Sequence, residues 1–408
     1  MRQGAGSNDR RRPVRIGTEQ TVTTDIRPDF HLPSQIYIRQ DILKEIGKIV
    51  PRFGSRVILV TTANDFEVYG SAIEIISRQL KDADIGCIVY DEVPYPPNTE
   101  EIDAAAAYIK KTNCDLIIGF GSIDSINAAK ALAILATNYL FCNDLFTGQK
   151  IPSPPLNFIT IPGSPMFGFE IAPMFYLEEV HNLTKKIFHN PDLYPAATIV
   201  DPAVTLFCPE EKILKGAIGT LAIAAESVIS KKNNDIINTY ALKSIDMIFR
   251  NVPVAYREPQ NSAPRTYLAT ASVMSGIAFA VSSLSITLCI SLALVSKTDL
   301  DIESAMSIIL PHIMEFNLTS SPGKYVQMSK VMGEDVREIT VIEAAIKAVE
   351  AIRKLESDID IPQRLSNYDI PKSIFREVAD LAVTYPFMEN TPRDVNTSEI
   401  ETILIAAY

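Results

Sequence analysis

The sequence predicts a two-domain protein in which an α/β half precedes an all-helical half. Three observations carry this expectation. The 408 residues exceed what a single hydrophobic core usually fills. Up to about residue 200, short apolar runs alternate with helical patterns, as in parallel strands joined by helical crossovers. Beyond Asp201 only long apolar helical patterns remain. Domains are therefore expected over residues 26–200 and 201–408, preceded by a disordered basic tail over residues 1–25 that carries Arg2, Arg10, Arg11, Arg12 and Arg15.

Residues 57–61 are apolar and β-branched without interruption, the pattern of a strand buried on both faces, and residues 67–81 follow with apolar positions at helical spacing. A second strand is expected over 86–93. The Pro-rich turn at 94–99 then leads into a helix with Ile102, Ala106 and Ile109 on one face and Asn98 or Thr99 as its N-cap. A strand over 115–120, a helix over 125–140 and strands over 156–162 and 197–200 complete the first half. In the second half, helices are expected over 209–230, 236–250, 341–356 and 372–383, and in the uncharged stretch 266–296.

That uncharged stretch is long enough for a membrane span, but its seven serines and many alanines suit a helix packed inside a large core, so no membrane span is expected. A net charge of −11, from 38 Lys+Arg against 49 Asp+Glu, opposes binding to nucleic acid or to an anionic membrane. The five cysteines, Cys87, Cys114, Cys142, Cys208 and Cys289, are odd in number and have no ligand-like spacing, which points to a cytoplasmic location.

Five stretches, in order, resemble the iron-containing (group III) alcohol dehydrogenase family. They are Asp-Leu-Ile-Ile-Gly-Phe-Gly at 115–121, residues 123–131, Ile-Val-Asp-Pro at 199–202, Ile-Leu-Pro-His-Ile-Met-Glu-Phe-Asn at 309–317, and the ending from Asn390 to Tyr408. The resemblance implies a Rossmann-like, dinucleotide-binding α/β domain, a helical C-terminal domain, and an active site in the cleft between them, the dehydroquinate synthase-like architecture.

In that family an Asp and a His one helical turn apart, and two further His, hold the metal. Carried onto this chain, the four ligand positions fall on Gly219, Ile223, Leu288 and Ile302, none with a donor atom, and a further family histidine aligns with Leu292. The histidines present, His31, His181, His189 and His312, occupy none of these positions. The resemblance thus implies a degenerate member, with neither iron nor zinc expected.

The family's glycine-rich turn for the cofactor pyrophosphate is represented by Gly121-Ser122-Ile123-Asp124. Ile123 places a β-branched side chain where φ needs to be positive, and Asp124 brings an anion to an anion site. Asp124 reads as a helix N-cap. Lys130, Ser122 and Ser164 remain as degenerate contacts to a nucleotide. In the loop Pro-Gly-Ser-Pro-Met-Phe-Gly-Phe-Glu at 162–170 Glu170 persists, and Thr62 replaces an acid that reads ribose hydroxyls. Glycine is scarce, at 17 of 408 residues or about 4% against ~7% in average proteins, partly because these loops have lost theirs.

The expected function is therefore a catalytically inactive scaffold or assembly protein, working as a homo-oligomer or with a protein partner. No cofactor is expected, and NAD(P) binding is weakened. The alternatives are an NAD(P)-dependent oxidoreductase with a metal-free site, in which a Lys, a Tyr or Glu170 does the acid/base work, and a nucleotide or ligand sensor.

Overall fold

The computed structural model describes Met1, residues 30–283 and residues 285–408. The basic tail expected over residues 1–25 lies, apart from Met1, outside the described residues.

Continuous β-branched and aliphatic runs produce six parallel strands: β1 (Gln35–Ile38), β2 (Arg56–Thr62), β3 (Gly86–Val93), β4 (Leu116–Gly121), β5 (Asn157–Pro162) and β8 (Ala197–Val200). Their order is β1-β8-β5-β4-β2-β3. Central β4 is buried along its whole length, because helices cover both faces, so its sequence shows no polar alternation. In register, Val57 faces Leu116, and Leu116 in turn faces Asn157. Taking Ile117 and Ile118 fully out of water stabilises the sheet by about 1.5–3 kcal/mol each.

The crossovers are α1 (Ala63–Asp82), α2 (Thr99–Thr112) and α3 (Ile123–Thr137). Asn98 caps α2 by accepting from the Glu101 N–H, and Ile102, Ala106 and Ile109 are buried, as expected. At α3 the structure departs from expectation. Ser122, not Asp124, is the N-cap residue, and Asp124 lies in the first turn. Ile123 has ordinary helical geometry, and the positive φ (124°) falls on Gly121.

An antiparallel hairpin, β6 (Met174–Glu179) and β7 (Thr184–His189), was not anticipated. Both of its faces are largely buried, which removes the period-2 signal. His181 and His189 belong to this hairpin region, at its turn and at the end of β7.

All strands among the described residues precede Asp201, and the rest is helical. The long helices are α4 (Glu210–Ile229), α5 (Asp235–Arg257), α6 (Ser262–Ser282), α7 (Ile286–Val295), α8 (Ile302–Asn317) and α9 (Val341–Asp358). One apolar core runs from sheet residues such as Leu116, Ile118 and Phe120 into helix residues such as Ile218, Leu221 and Leu288. The core therefore crosses the change from mixed to helical structure without a break.

The uncharged stretch 266–296 is two helices, α6 and α7, bent by 102°. No single helix of the described residues is long and apolar enough to cross a membrane. The bend has a polar cause. Glu226, wholly buried in α4, accepts from the Ser285 hydroxyl at 2.7 Å, the Ile286 N–H at 2.7 Å and the Thr287 N–H at 3.2 Å. A carboxyl group, pushed up to about 7 by burial, thus sits on the freed donors at the α7 N-terminus, which offsets the interrupted helix ladder. Glu226→Ala strands those donors in the core and is expected to lower stability by about 3–5 kcal/mol in a denaturant titration, against a smaller loss for Glu226→Gln. Equal, small losses for both variants would show that the bend is set by packing alone.

Candidate active site

In an open parallel sheet, ligands bind outside the carboxyl ends of the strands where the winding direction reverses. Here that point lies between β2 and β4, which end at Thr62 and Gly121. The turn after β4 is the one the resemblance assigns to the pyrophosphate. A side chain of this chain occupies it. Asp65, from the first turn of α1, accepts through Oδ2 from the Ser122 N–H at 2.8 Å, the Ser122 hydroxyl at 2.6 Å and the Ser125 hydroxyl at 2.6 Å. A Cβ on Gly121 would meet Asp65 Oδ2 at 2.5 Å, so only glycine admits this carboxylate. Thr62 has become the α1 cap, accepting from the Asp65 N–H.

Lys130 is wholly buried, and its ammonium donates to the carbonyls of Phe169, of Ala172 at 2.6 Å and of Met174 at 2.9 Å. It is committed to backbone and is not a nucleotide contact. Burial pushes it down to about 7, with the Glu170 carboxylate pulling the other way. Ser164 is buried in the turn after β5. Glu170 is also sealed in the core, where burial pushes it up to about 7, and it lines neither of the two cavities at the mouth of the cleft. The acid/base role considered for Glu170 is therefore not supported by its position.

The segment held by Lys130 also covers one of the family's metal positions, Gly219. Ser272 Oγ accepts from the Met166 and Gly168 N–H groups at 3.0 and 3.2 Å, which docks the loop onto α6. Phe167, at a left-handed φ of 57°, lays its ring on α4, and a Cβ at Gly219 would lie 2.3 Å from the ring. Ile223 and Leu288 are wholly buried and Ile302 nearly so. The space beside Gly219 is thus filled by carbon, and these four positions do not fit a metal ion. Among the described residues, no group of three His, Cys, Asp or Glu side chains has metal-binding geometry. His312 is buried in α8, pushed down to about 4 by burial, and no described histidine lines either cavity at the mouth of the cleft.

The titratable groups that do meet lie at the mouth of the same cleft. A cavity of about 400 Å³ is bounded by Tyr95 from the turn after β3, Asp124 from α3, Tyr176 from β6, Lys212 from α4 and Glu303 from α8. A smaller one of about 230 Å³ shares Tyr95, Lys212 and Glu303 with it. Asp124 is only 8% exposed and accepts no hydrogen bond among the described residues. Burial pushes its carboxyl up to about 6, against the pull of Lys212. Burial works against the Lys212 charge, but Glu303, with Oε1 at 3.9 Å from the ammonium, and Asp124 more than offset it and hold Lys212 above the usual lysine range. Both groups are thus held toward their protonated forms, and a carboxyl raised to about 6 beside a lasting ammonium inside a cavity suits proton transfer.

Matches to known families cover nearly the whole chain. Residues 33–202 match the family described as iron-containing alcohol dehydrogenase, and residues 213–408 match the Fe-containing alcohol dehydrogenase family, C-terminal part. The chain belongs to the iron-containing alcohol dehydrogenase family. It is 25% identical to a 1,3-propanediol dehydrogenase of Klebsiella pneumoniae, over 93% of this chain and 98% of that protein. An NAD-dependent methanol dehydrogenase of Bacillus methanolicus is 20% identical over 92% and 98% of the two chains. In fold, an alcohol dehydrogenase from Oenococcus oeni superposes with a TM-score of 0.89 at 20% identity, covering 94% of this chain and all of that one (100%).

Membership in the iron-containing alcohol dehydrogenases corrects two expectations. An inactive scaffold, and a chain without cofactor or iron, both conflict with relatives that match end to end and carry dehydrogenase names, one of them NAD-dependent. They conflict as well with a family described as iron-containing. Sequence reasoning singled out Asp124 but read it as the helix N-cap, a place that Ser122 takes. It missed Asp65, Lys212, Tyr95, Tyr176 and Glu303, which come from separate segments that no local pattern joins.

The Asp65 contact has a measurable consequence. A pyrophosphate can use the Ser122 and Ser125 donors only by displacing the carboxylate. Asp65→Ala is expected to tighten ADP and NADH binding roughly tenfold in isothermal titration. Unchanged or weaker binding would mean that these donors do not serve the nucleotide.

Proposed function

We propose that this protein is an NAD(P)-dependent oxidoreductase that interconverts an alcohol and its carbonyl compound, with the Asp124–Lys212 cluster as its proton-handling centre. The observation that carries the reading is the convergence of Asp124, Lys212, Tyr176 and Glu303 on one cavity at the carboxyl edge of the sheet, in a chain matched along nearly all its length to dehydrogenases. The finer reading is that of a divergent member whose inherited ligand positions, Gly219, Ile223, Leu288 and Ile302, have been given over to packing.

A bound nicotinamide supplies the hydride acceptor or donor. The residues of this chain do the remaining work. In the oxidation direction the substrate hydroxyl lies against Asp124, whose carboxylate accepts the hydroxyl proton, while the Lys212 ammonium stabilises the negative charge growing on oxygen. In reduction the same carboxyl returns the proton. The low exposure of Asp124 and Tyr176 keeps bulk water from competing for that proton.

The sign of the pH dependence follows from Asp124. Its acceptor form is the ionised one, so kcat for alcohol oxidation is expected to rise with pH through about 6 and then level. Asp124→Asn removes the acceptor and is expected to lower kcat by about 10²–10⁴-fold and to abolish that acidic limb. Persistence of the limb in the variant would assign the proton to another group.

A further inference from the structure

The cavity carries more negative charge than proton transfer needs. Five carboxylates and two lysines line it. Lys185 Nζ is 2.8 Å from Glu178 and Lys212 Nζ is 3.9 Å from Glu303, so both cavity lysines are matched. Asp124, Asp299 and Asp301 are then left without a lysine of the cavity. Lys215 lies 3.8 Å from Asp301 but leans on Glu211 at 2.5 Å, so it brings no net positive charge. Two independent features show that this surplus faces a ligand space. Asp124 is more than nine-tenths buried, borders the cavity and has no hydrogen-bond donor among the described residues. Tyr176, 4% exposed, borders the cavity beside it, and its hydroxyl accepts or donates no hydrogen bond among the described residues.

Exposure divides the cavity into two ends. Asp124 and Tyr176 form the secluded end. Asp299, which is exposed, half-buried Asp301 and the Tyr95 ring, 64% exposed, form the rim. A buried end that handles a hydroxyl and an anionic, aromatic rim together recognise a molecule that is an alcohol at one end and a cation at the other. Carboxylates attract the cation by charge, and the tyrosine ring offers its face.

We propose that the cleft selects small alcohols bearing an ammonium group, with the hydroxyl at Asp124 and the ammonium held at the rim by Asp299, Asp301 and Tyr95. This rests on the oxidoreductase reading for the identity of the reacting end, whereas the cation preference rests on the cavity alone. Neutral and acidic alcohols of the same size lack the rim interaction, and acidic ones are repelled.

The test is isothermal titration of the full chain, without nucleotide, at low ionic strength, using ethanolamine, ethylene glycol and glycolate. Ethanolamine is expected to bind roughly tenfold or more tightly than either of the others. Raising salt to about 0.5 M is expected to weaken it, because the rim charges are solvent-exposed. In Asp299→Asn/Asp301→Asn the preference is expected to collapse, while Asn at 301 keeps the helix cap that Asp301 supplies to the Ser304 N–H. Glycolate or ethylene glycol binding as tightly as ethanolamine, or a preference unchanged in the double variant, overturns the proposal. If ethanolamine binds selectively but no alcohol is turned over with NAD+ or NADP+, the oxidoreductase reading fails and the cation site stands. If neutral alcohols are turned over without selective ethanolamine binding, the cation site fails and the oxidoreductase reading stands.

Discussion

Lys130 holds the segment between β5 and β6 to α3 through three carbonyls, those of Phe169, Ala172 and Met174. A wholly buried ammonium is tolerable only because it is so fully bonded, and the same bonds fix the path of everything that follows. Upstream, the fixed segment presses Phe167 onto the bare face of Gly219 and gives its N–H groups to Ser272. Downstream, it starts β6, whose Tyr176 and Glu178 reach the cleft cavity. One lysine therefore sets both the apolar filling beside Gly219 and one wall of the candidate site.

The two halves of the cleft meet their charges by different means. At the nucleotide turn, Asp65 supplies an internal anion to donors that would otherwise be buried and unpaired. In the neighbouring cavity, Asp124 is left without a donor, and Lys212 pairs with Glu303 by charge at 3.9 Å, beyond hydrogen-bond reach. The Asp65 carboxylate is saturated with donors, whereas Asp124 borders open space. That contrast separates the residues that maintain the fold from those available for chemistry.

Much of the fold was legible because burial leaves simple traces. Residues 57–61 and 115–120 read as strands because a sheet covered on both faces demands apolar side chains throughout, and Asn98 or Thr99 read as a cap because either side chain can mimic a backbone acceptor, the structure using Asn98. The 266–296 stretch read as one buried unit, yet its 102° bend depends on Glu226, 60 positions before Ile286, and no local pattern reports that. Asp65 looked like any acid in a first helical turn, where the dipole favours it, and its contact with Ser122 spans 57 positions. The cluster at the cavity is assembled from five segments. The loss of ligands at 219, 223, 288 and 302 was visible by resemblance, but the inference from that loss to an inactive protein did not follow, since acid/base groups brought together by the fold leave no mark in any one stretch.

The central claim is that hydride transfer occurs at a site whose proton chemistry belongs to the Asp124–Lys212 cluster. The most direct measurement follows deuterium from the carbinol carbon of a labelled amino alcohol to the nicotinamide ring, comparing the wild-type chain with Lys212→Met at matched folded content by circular dichroism. The account predicts label on the nicotinamide with the wild-type protein and a rate reduced by about 10²-fold or more in the variant. Label transfer at an undiminished rate in Lys212→Met would place the chemistry elsewhere in the fold.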